Sequence, residues 1–406
     1  MEKHSSVTLD QPTKARMIRR IEVVSMATMF VFAATANILP VSLVRISRDI
    51  GFSLTQAGFI SFAGSWLQFG ILITSGILAS FFGKLKLIRF ALLAVALGLG
   101  FIAQSGTYLM ILTFGLVMAL GHGILEALLT PLVEDLHPGD HGKHMNLLHA
   151  FWPMGVLVCV LGAGELLSRG VSWRIVYMGL GVVTIAILLF QPSGKGLSFP
   201  SSRRDLAHFK EILRLPHFWL SGMAMFFAGG AEAGFAFWSA SYIQLEFDTL
   251  PRAGAFGAAS FALGMAIGRI LSSRIASRIG LRQLLEGAAL LGVLIGGTFF
   301  LINSLPLLYV FMLVIGVIIA PLWPSIQSYA AKRNRVDPTM LMVLLSCFGV
   351  TGYSSATLIM GFLGDLQGIR ISFVVIPVYL LSLFFVIFLA GTKRAHGGVS
   401  PRSGST

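Results

Sequence analysis

Charged residues are scarce in this chain of 406 residues. Only 12% are Asp, Glu, Lys or Arg and 55% are hydrophobic, whereas a soluble domain carries about 25% charged residues. The two cysteines, Cys159 and Cys347, lie in apolar stretches, so no disulfide framework or cysteine metal spacing is available. Walker, H-E-x-x-H and G-x-S-x-G motifs are missing as well. We therefore predict a membrane protein that is not an enzyme, is not driven by ATP and has no cofactor or metal.

Long apolar runs determine the predicted fold class. A helix needs about 20 apolar residues to cross a bilayer, and the chain contains twelve such runs. We predict an all-α membrane protein with twelve transmembrane helices. The predicted spans are 22–44, 56–82, 87–105, 108–133, 145–167, 173–191, 217–245, 253–276, 283–302, 306–330, 339–363 and 371–391.

The longest polar break lies in the middle of the chain and separates six runs from six. It predicts a cytoplasmic N-terminal segment (1–21), an N-terminal six-helix bundle (22–191), a cytoplasmic linker (192–216), a C-terminal six-helix bundle (217–391) and a disordered cytoplasmic tail (392–406).

The net charge of +13 comes from Lys and Arg in the loops between apolar runs. With both termini in the cytoplasm, 23 of these residues lie on the cytoplasmic side and six on the other, and this bias sets the orientation of membrane proteins. We expect a multi-pass protein of a bacterial inner or plasma membrane with both termini cytoplasmic. Its expected partners are the lipid bilayer, protons and a small solute, not nucleic acid, and we expect a monomer.

The two halves of the chain repeat at a constant offset. The stretch around Gly83 parallels the stretch around Gly280, and Leu147–Gly155 parallels Leu344–Gly352, both at an offset of 197. This repeat predicts two pseudo-symmetric bundles, a plan that transporters use with the solute site near mid-membrane at the repeat interface.

The loop after the second predicted span resembles the G-x-x-x-D-R-x-G-x-R-R motif of the major facilitator superfamily. The matching residues are Gly76, Ser80, Gly83 and Lys86, and in the second copy Ser273, Ser277, Arg278, Gly280 and Arg282. Arg269 resembles the arginine common in the eighth helix of that family. The resemblance implies that these loops gate the cytoplasmic side, with Ser in both copies where the family has Asp.

A narrower resemblance is to the fucose/proton symporter branch and its sugar-transporting relatives. The stretch from Gly121 to Gly155 resembles that branch's fourth and fifth helices, where Glu126 takes the position of a coupling carboxylate. The seventh span resembles the pattern G-x-E-x-x-x-x-x-W-x-x-x-Y, with Glu232, Trp238 and Tyr242. The branch's helix-one Asp is absent here, where Asn37 and Ser42 are the polar residues.

Two intramembrane carboxylates are the strongest candidates for function, because a charged group in hydrocarbon costs about 2.5–3.5 kcal/mol and marks a site. Glu126 shares a helix face with His122 and Thr130. We predict that Glu126, His122 and Glu232 couple transport to protons. The structural alternative is a pair that only holds helices together.

Further polar and aromatic residues of the spans are predicted to bind the solute. They are Asn37, Gln68, Asn146, His149, Trp152, Glu232, Trp238, Trp323, Gln327 and Tyr353. Interhelical hydrogen bonding is the alternative for Asn146 and His149, and an interfacial aromatic belt is the alternative for Trp238. Pro321 and Pro324 predict a bend in the tenth span, which serves as a gate hinge or is simply a bend.

These residues predict a secondary transporter that moves a small neutral polar solute, most simply a sugar, by alternating access with proton coupling. A single deep basic residue, Arg269, argues against a dianionic solute. Two alternatives stay open: an exporter of amphipathic compounds, suggested by 32 Phe and 16 Met, and a transport-inactive sensor or assembly protein.

Overall fold

The computed structural model describes residues 11–137, 141–192, 211–333 and 338–392. Most of the predicted linker and tail lies outside these ranges. The prediction that the tail is disordered therefore concerns residues outside the described part of the chain. In the described residues all regular structure is helical, and twelve segments are long and apolar enough to cross a membrane. The predicted fold class is therefore confirmed.

The helices are numbered in chain order. They are α1 (Gln11–Ile50), α2 (Leu54–Phe82), α3 (Lys84–Ala103), α4 (Tyr108–Leu136), α5 (His141–Ser168), α6 (Trp173–Phe190), α7 (Pro216–Glu246), α8 (Pro251–Ile279), α9 (Leu281–Gly297, continued by a 3-10 turn at Thr298–Leu301), α10 (Leu305–Ile319), α11 (Leu322–Arg333), α12 (Pro338–Gln367), α13 (Ile369–Ser372) and α14 (Val375–Thr392).

Two helix boundaries differ in an informative way from the hydrophobic runs. Helix α1 begins at Gln11, well before the predicted start at residue 22, because Lys14, Ala15 and Arg16 are good helix formers that need no hydrocarbon around them. The tenth span consists of two helices: α10 ends at Ile319 and α11 begins at Leu322, so Ala320 and Pro321 lie between them. The predicted bend is thus present, since proline lacks the amide that would continue the helix.

Contacts between residues group the chain into two compact units. The first contains the described part of Met1–Arg204 together with Phe235–Ala262 and Thr357–Ser372. The second contains the described part of Asp205–Gly234, Leu263–Ala356 and the described part of Phe373–Thr406. The predicted division into bundles at 22–191 and 217–391 stays a prediction.

The sequence repeat has a counterpart in backbone geometry. Gly83 ends α2 with φ +84° and Gly280 ends α8 with φ +86°, a region that residues with a Cβ rarely adopt. A Cβ on Gly155 of α5 would lie 2.2 Å from the Phe30 carbonyl oxygen of α1. A Cβ on Gly352 of α12 would lie 1.9 Å from the Phe226 carbonyl oxygen of α7. Equivalent positions of the repeat therefore share turns and helix contacts.

Candidate functional site

Glu126 has an unusual environment in α4. It is the one exposed side chain between Phe114 and Leu136, and its flanks are buried residues such as Leu125 and Leu128. Among the described residues it has no hydrogen-bond or ion-pair partner. A carboxylate at mid-helix is tolerated where it faces water, a cavity or a ligand. The structure thus keeps Glu126 accessible without a neutralising neighbour.

Helices α4 and α5 meet through polar side chains one turn from Glu126. Thr130 Oγ1 lies 3.4 Å from His149 Nε2. On α5, His149 shares a face with the exposed residues Asn146 and Pro153, three to four positions apart. A separate exposed face of α5 is apolar and carries Leu147, Met154 and Val158. The helix therefore has one polar accessible face, which continues the face that bears Glu126.

His122, predicted with Glu126 to couple transport to protons, is buried where Glu126 is exposed. Its side chain is 7% exposed, and its Nε2 lies 2.9 Å from Thr35 Oγ1 on α1. The Phe32 ring is centred 5.1 Å from His122 and 4.8 Å from Trp152, which joins α1 to α4 and α5. His122 therefore forms its hydrogen bond with α1, and Trp152 packs edge-on against Phe32.

The two remaining candidates of the first unit lie on α1 and α2. Asn37 is partly buried and its Nδ2 donates to the Ala33 carbonyl one turn earlier, 2.9 Å away. Gln68 lies where α2 approaches α4 closely: a Cβ on Gly123 would be 3.3 Å from the Gln68 Cα. Both side chains retain hydrogen-bonding capacity for a ligand, because each amide has further donors and acceptors.

Glu232 has a charged and a polar neighbour in the second unit. The side chain is partly buried in α7 and interacts electrostatically with Arg269 of α8 and with Tyr353 of α12. Arg269 was expected to belong to the gating motif, and its proximity to Glu232 adds a second candidate role. Carboxylate, guanidinium and phenol together offer both acceptors and donors to a polar solute.

Trp323 and Gln327 join α11 to α12 in the same unit. Gln327 Nε2 donates to Ser346 Oγ at 3.0 Å. The Trp323 ring lies so close to Gly349 that a Cβ there would be 2.3 Å from it. Both residues, which the sequence predicts to contact the solute, therefore pack against α12 in this structure.

Trp238 lies inside the helix packing of the first unit. It is 1% exposed, and its Nε1 donates to the Thr357 carbonyl oxygen at 3.2 Å. A sugar platform and an interfacial belt both require an accessible ring face, so the buried ring and its satisfied N–H favour a packing role in this conformation.

The residues of the predicted gating motif have local roles. Ser80 Oγ donates to the Ile77 carbonyl at 2.7 Å within α2, and Arg278 is exposed near the end of α8. Gly76 lies inside α2, and Gly83 and Gly280 form positive-φ turns at the ends of α2 and α8. The family's Asp position therefore holds a hydroxyl that satisfies its own helix.

Sequence reasoning missed a buried ion pair beside that turn. Lys84 is 6% exposed, and its Nζ lies 2.5 Å from Asp135 Oδ2 and 3.4 Å from the Pro131 carbonyl oxygen. The pair joins the start of α3 to the end of α4. The only sequence signal was an acidic residue at the end of a predicted span, which by itself indicates solvent exposure.

A second missed residue is Asp365, near the end of α12. Its carboxylate accepts hydrogen bonds from the Leu54 amide at 2.9 Å, the Thr55 amide at 2.8 Å and Thr55 Oγ1 at 2.5 Å. These are first-turn amides of α2, which have no partners within their own helix. Within the first unit, Asp365 thus ties α12 to the positive end of α2.

Twelve membrane-spanning helices with accessible polar and charged side chains at mid-helix define the class: an integral multi-pass membrane transporter. A profile of the Major Facilitator Superfamily matches residues 24–333 and 242–405. The chain therefore belongs to the Major Facilitator Superfamily, whose members are secondary transporters and not enzymes.

Similar proteins agree with this family. An uncharacterized MFS-type transporter of Yersinia pestis is 23% identical over 359 residues, covering 86% of this chain and 90% of that protein. A bacterial homolog of the human lysosomal transporter Spinster superposes with TM-score 0.75 at 16% identity, over 97% of this chain and 100% of that one.

Two further solved structures share the fold. The Escherichia coli fucose:proton symporter has TM-score 0.62 and 20% identity, with 91% of this chain and 98% of that chain covered. The nucleoside transporter NupG has TM-score 0.74 and 13% identity, with 92% and 99% covered. At these identities the likeness establishes the fold alone.

Proposed function

We propose that this protein transports a small neutral polar solute, a sugar in the first place, by alternating access, and that protons drive the transport. The observation that carries the proposal is Glu126, an accessible carboxylate without a partner among the described residues, in the middle of a membrane-spanning helix. A carboxyl group in that environment can bind a proton on one side of a membrane and release it on the other.

The polar face next to Glu126 supports a hydroxylated solute. Asn146 and His149 are exposed, and His149 lies 3.4 Å from Thr130 Oγ1. Amide, imidazole and hydroxyl groups both donate and accept hydrogen bonds, which matches the hydroxyl groups of a sugar. The fucose:proton symporter on the same fold carries a solute of this class by its name.

The surroundings of Glu232 support a neutral solute. Arg269 and Tyr353 lie close enough to interact with its carboxylate, so one negative and one positive charge offset each other. A dianionic solute would want an excess of positive charge. We infer that Glu232 accepts hydrogen bonds from the solute while Arg269 keeps the carboxylate compensated.

A second candidate function, export of amphipathic compounds, is favoured by a row of aromatic rings on α2. Phe59, Phe62, Trp66 and Phe69 follow one another with ring centroids 6.2, 6.0 and 5.7 Å apart. Phe59 is 40% exposed and Trp66 is 48% exposed. Such a row suits an aromatic or cationic solute.

The distribution of Lys and Arg supports an orientation with both termini in the cytoplasm. In that orientation the α4–α5 junction and the Lys84–Asp135 pair are cytoplasmic. Labelling of single cysteines introduced near either terminus, in intact and in opened cells, tests this assignment.

Uptake by proteoliposomes tests the transport proposal. We expect labelled sugars to accumulate when an inward proton gradient is imposed, and we expect Glu126→Gln to remove the gradient-driven part of uptake because the amide cannot carry a proton. Glu165→Gln is the matched control, since Glu165 is 42% exposed and pairs with Arg169 one turn away in α5.

Three outcomes separate the hypotheses. Sugar uptake that neither Glu126→Gln nor a collapsed gradient changes would leave a facilitator and remove proton coupling. Stabilisation by amphipathic cations but not by sugars in a thermal-shift panel would favour the exporter. The absence of uptake and of thermal shift with sugars, nucleosides and amphipathic compounds would favour the transport-inactive alternative.

A further inference from the structure

Three side chains that bind transition metals in proteins converge at one end of the first unit. They are Glu22 of α1, His137 directly after α4, and His144 near the start of α5. Glu22 and His144 are 122 positions apart in the sequence, and His137 and His144 belong to different helix ends. His137 and His144 are seven positions apart in the sequence, whereas Glu22 belongs to α1, so folding brings the carboxylate to the two histidines.

The geometry of the cluster is compact. The donor atoms of the three residues all lie within 4.8 Å of one another. One oxygen of the Glu22 carboxylate lies 3.5 Å from His137 Nε2, and the other contacts His144 Nδ1. The two imidazole rings stack with centroids 3.5 Å apart and an interplanar angle of 4°. One nitrogen of each ring thus faces the same carboxylate.

One of these nitrogens lacks a hydrogen bond. His137 Nε2 is buried and has no hydrogen-bond partner among the described residues. Its polar neighbour, a Glu22 oxygen 3.5 Å away, makes an ion-pair contact but no hydrogen bond with it. A buried nitrogen that makes no hydrogen bond is costly and calls for an explanation such as an ion. The side chains of Glu22, His137 and His144 are 13%, 19% and 21% exposed, so the cluster is sheltered but open enough for an ion to reach it.

We propose that Glu22, His137 and His144 form a binding site for a divalent transition-metal cation, with Zn²⁺ as the best fit. Two imidazoles and one carboxylate, with a water as fourth ligand, are a donor set that Zn²⁺ accepts at about 2.0–2.2 Å. To bind one ion, the donor atoms must move inward and the two rings must tilt, because a metal lies in the plane of each imidazole that binds it and the two planes are now nearly parallel. Imidazole donors favour Zn²⁺, Ni²⁺ and Cu²⁺ over Mg²⁺ and Ca²⁺, which prefer oxygen.

The surrounding charges permit a cation at this place. The ammonium group of Lys84 in α3 is compensated by Asp135, two residues before His137. Arg16, Arg19 and Arg20 of α1 line a separate groove with Ile187 and Phe190 of α6. The cluster itself carries one carboxylate, which offsets part of the charge of the metal.

A metal at this site connects three chain segments. It bridges the N-terminal part of α1 to both sides of the α4–α5 junction, the segment that leads from Glu126 to His149. Because a ligand that binds only the folded state stabilises it in proportion to its occupancy, bound Zn²⁺ raises the melting temperature. The site acts as a structural clamp and is separate from the residues proposed for transport.

Metal titration of the purified full-length protein tests the proposal. The protein carries a tag without histidines and is stripped with EDTA in detergent. We expect saturable binding of one Zn²⁺ by calorimetry, and visible absorption bands of tetrahedral Co²⁺ that Zn²⁺ displaces and Mg²⁺ does not. We also expect Zn²⁺ to raise the melting temperature.

Variants locate the metal. Glu22→Gln, His137→Gln and His144→Gln each lower the affinity by about tenfold or more, since even outer-shell partners cost 10–100-fold. His217→Gln is the matched control, because His217 lies on α7 and belongs to no such cluster of described residues. His144→Cys keeps a zinc ligand, so it retains binding and excludes misfolding as the cause of the loss.

Two results would overturn the site. The first is that the wild-type protein shows no saturable binding of Zn²⁺ or Co²⁺. If the variants nevertheless melt at a lower temperature in EDTA, the three residues stabilise the fold by hydrogen bonding alone. The second is that all three variants bind Zn²⁺ with the same affinity as the wild type and His217→Gln. The metal would then bind at a different site.

Discussion

At the scale of single residues, most described carboxylates in the membrane-spanning helices have a partner. Asp135 pairs with Lys84, Asp49 pairs with Arg174, and Asp365 caps α2. Glu126 differs because it is exposed and no described residue neutralises it. The sequence singled out Glu126 by its apolar surroundings, but the lack of a partner, which makes a proton role chemically accessible, required the structure.

The buried pair of Lys84 and Asp135 yields a prediction about stability. We expect Asp135→Asn to lower the free energy of unfolding by about 3 kcal/mol, because an ammonium group at 6% exposure is left without its counter-ion. Thermal melting in detergent measures the change. Glu286→Gln is the control, since its partner Arg282 is 38% exposed in the same helix and such pairs contribute at most about 1 kcal/mol. Equal shifts in both variants would contradict the buried-pair argument.

At the scale of helices, the repeat at an offset of 197 acquires a physical meaning. Gly83 and Gly280 adopt the same positive φ, and Gly155 and Gly352 each face a carbonyl oxygen of the helix that begins their half. Small residues let membrane helices approach closely. The sequence predicted which positions correspond. It could not predict what each glycine touches, because the partner helices are more than a hundred residues away.

The close approach at Gly352 yields a prediction at this scale. Gly352→Ala is expected to destabilise the protein by about 1–3 kcal/mol, because the new Cβ would be 1.9 Å from the Phe226 carbonyl oxygen. Gly100→Ala in α3 meets nothing within 4 Å and is expected to be neutral or slightly stabilising. Melting temperatures of the two variants decide the point: the argument is wrong if Gly352→Ala melts no lower than Gly100→Ala.

At the scale of the whole molecule, Glu126 and Glu232 belong to different compact units. Glu126 has a polar but uncharged neighbourhood, whereas Glu232 has Arg269 and Tyr353. A charge-compensated carboxylate accepts strong hydrogen bonds from hydroxyl groups. We therefore propose that Glu126 is the coupling carboxylate and that Glu232, predicted from the sequence for both roles, mainly contacts the solute.

This division predicts different defects for the two variants. Glu232→Gln is expected to weaken binding of a transported sugar by about 10–100-fold, the equivalent of one hydrogen bond to a charged group. Glu126→Gln is expected to keep the binding affinity and to lose proton-driven accumulation. Calorimetric binding and gradient-driven uptake, measured on both variants, test the assignment. Loss of affinity in Glu126→Gln with intact affinity in Glu232→Gln would reverse it.

The sequence by itself determined the membrane class, the twelve helices, the repeat and the family, because these follow from apolar length, charge distribution and short motifs. It also identified Glu126 and Glu232, since carboxylates in hydrocarbon are rare for energetic reasons. Only the tertiary structure decided that Trp238 is buried and that Lys84 meets Asp135. It alone brought Glu22, His137 and His144 together. The contacts of Lys84 with Asp135, of Trp238 with Thr357 and of Glu22 with His144 join residues 51, 119 and 122 positions apart. Such contacts depend on helix packing, which no local pattern encodes.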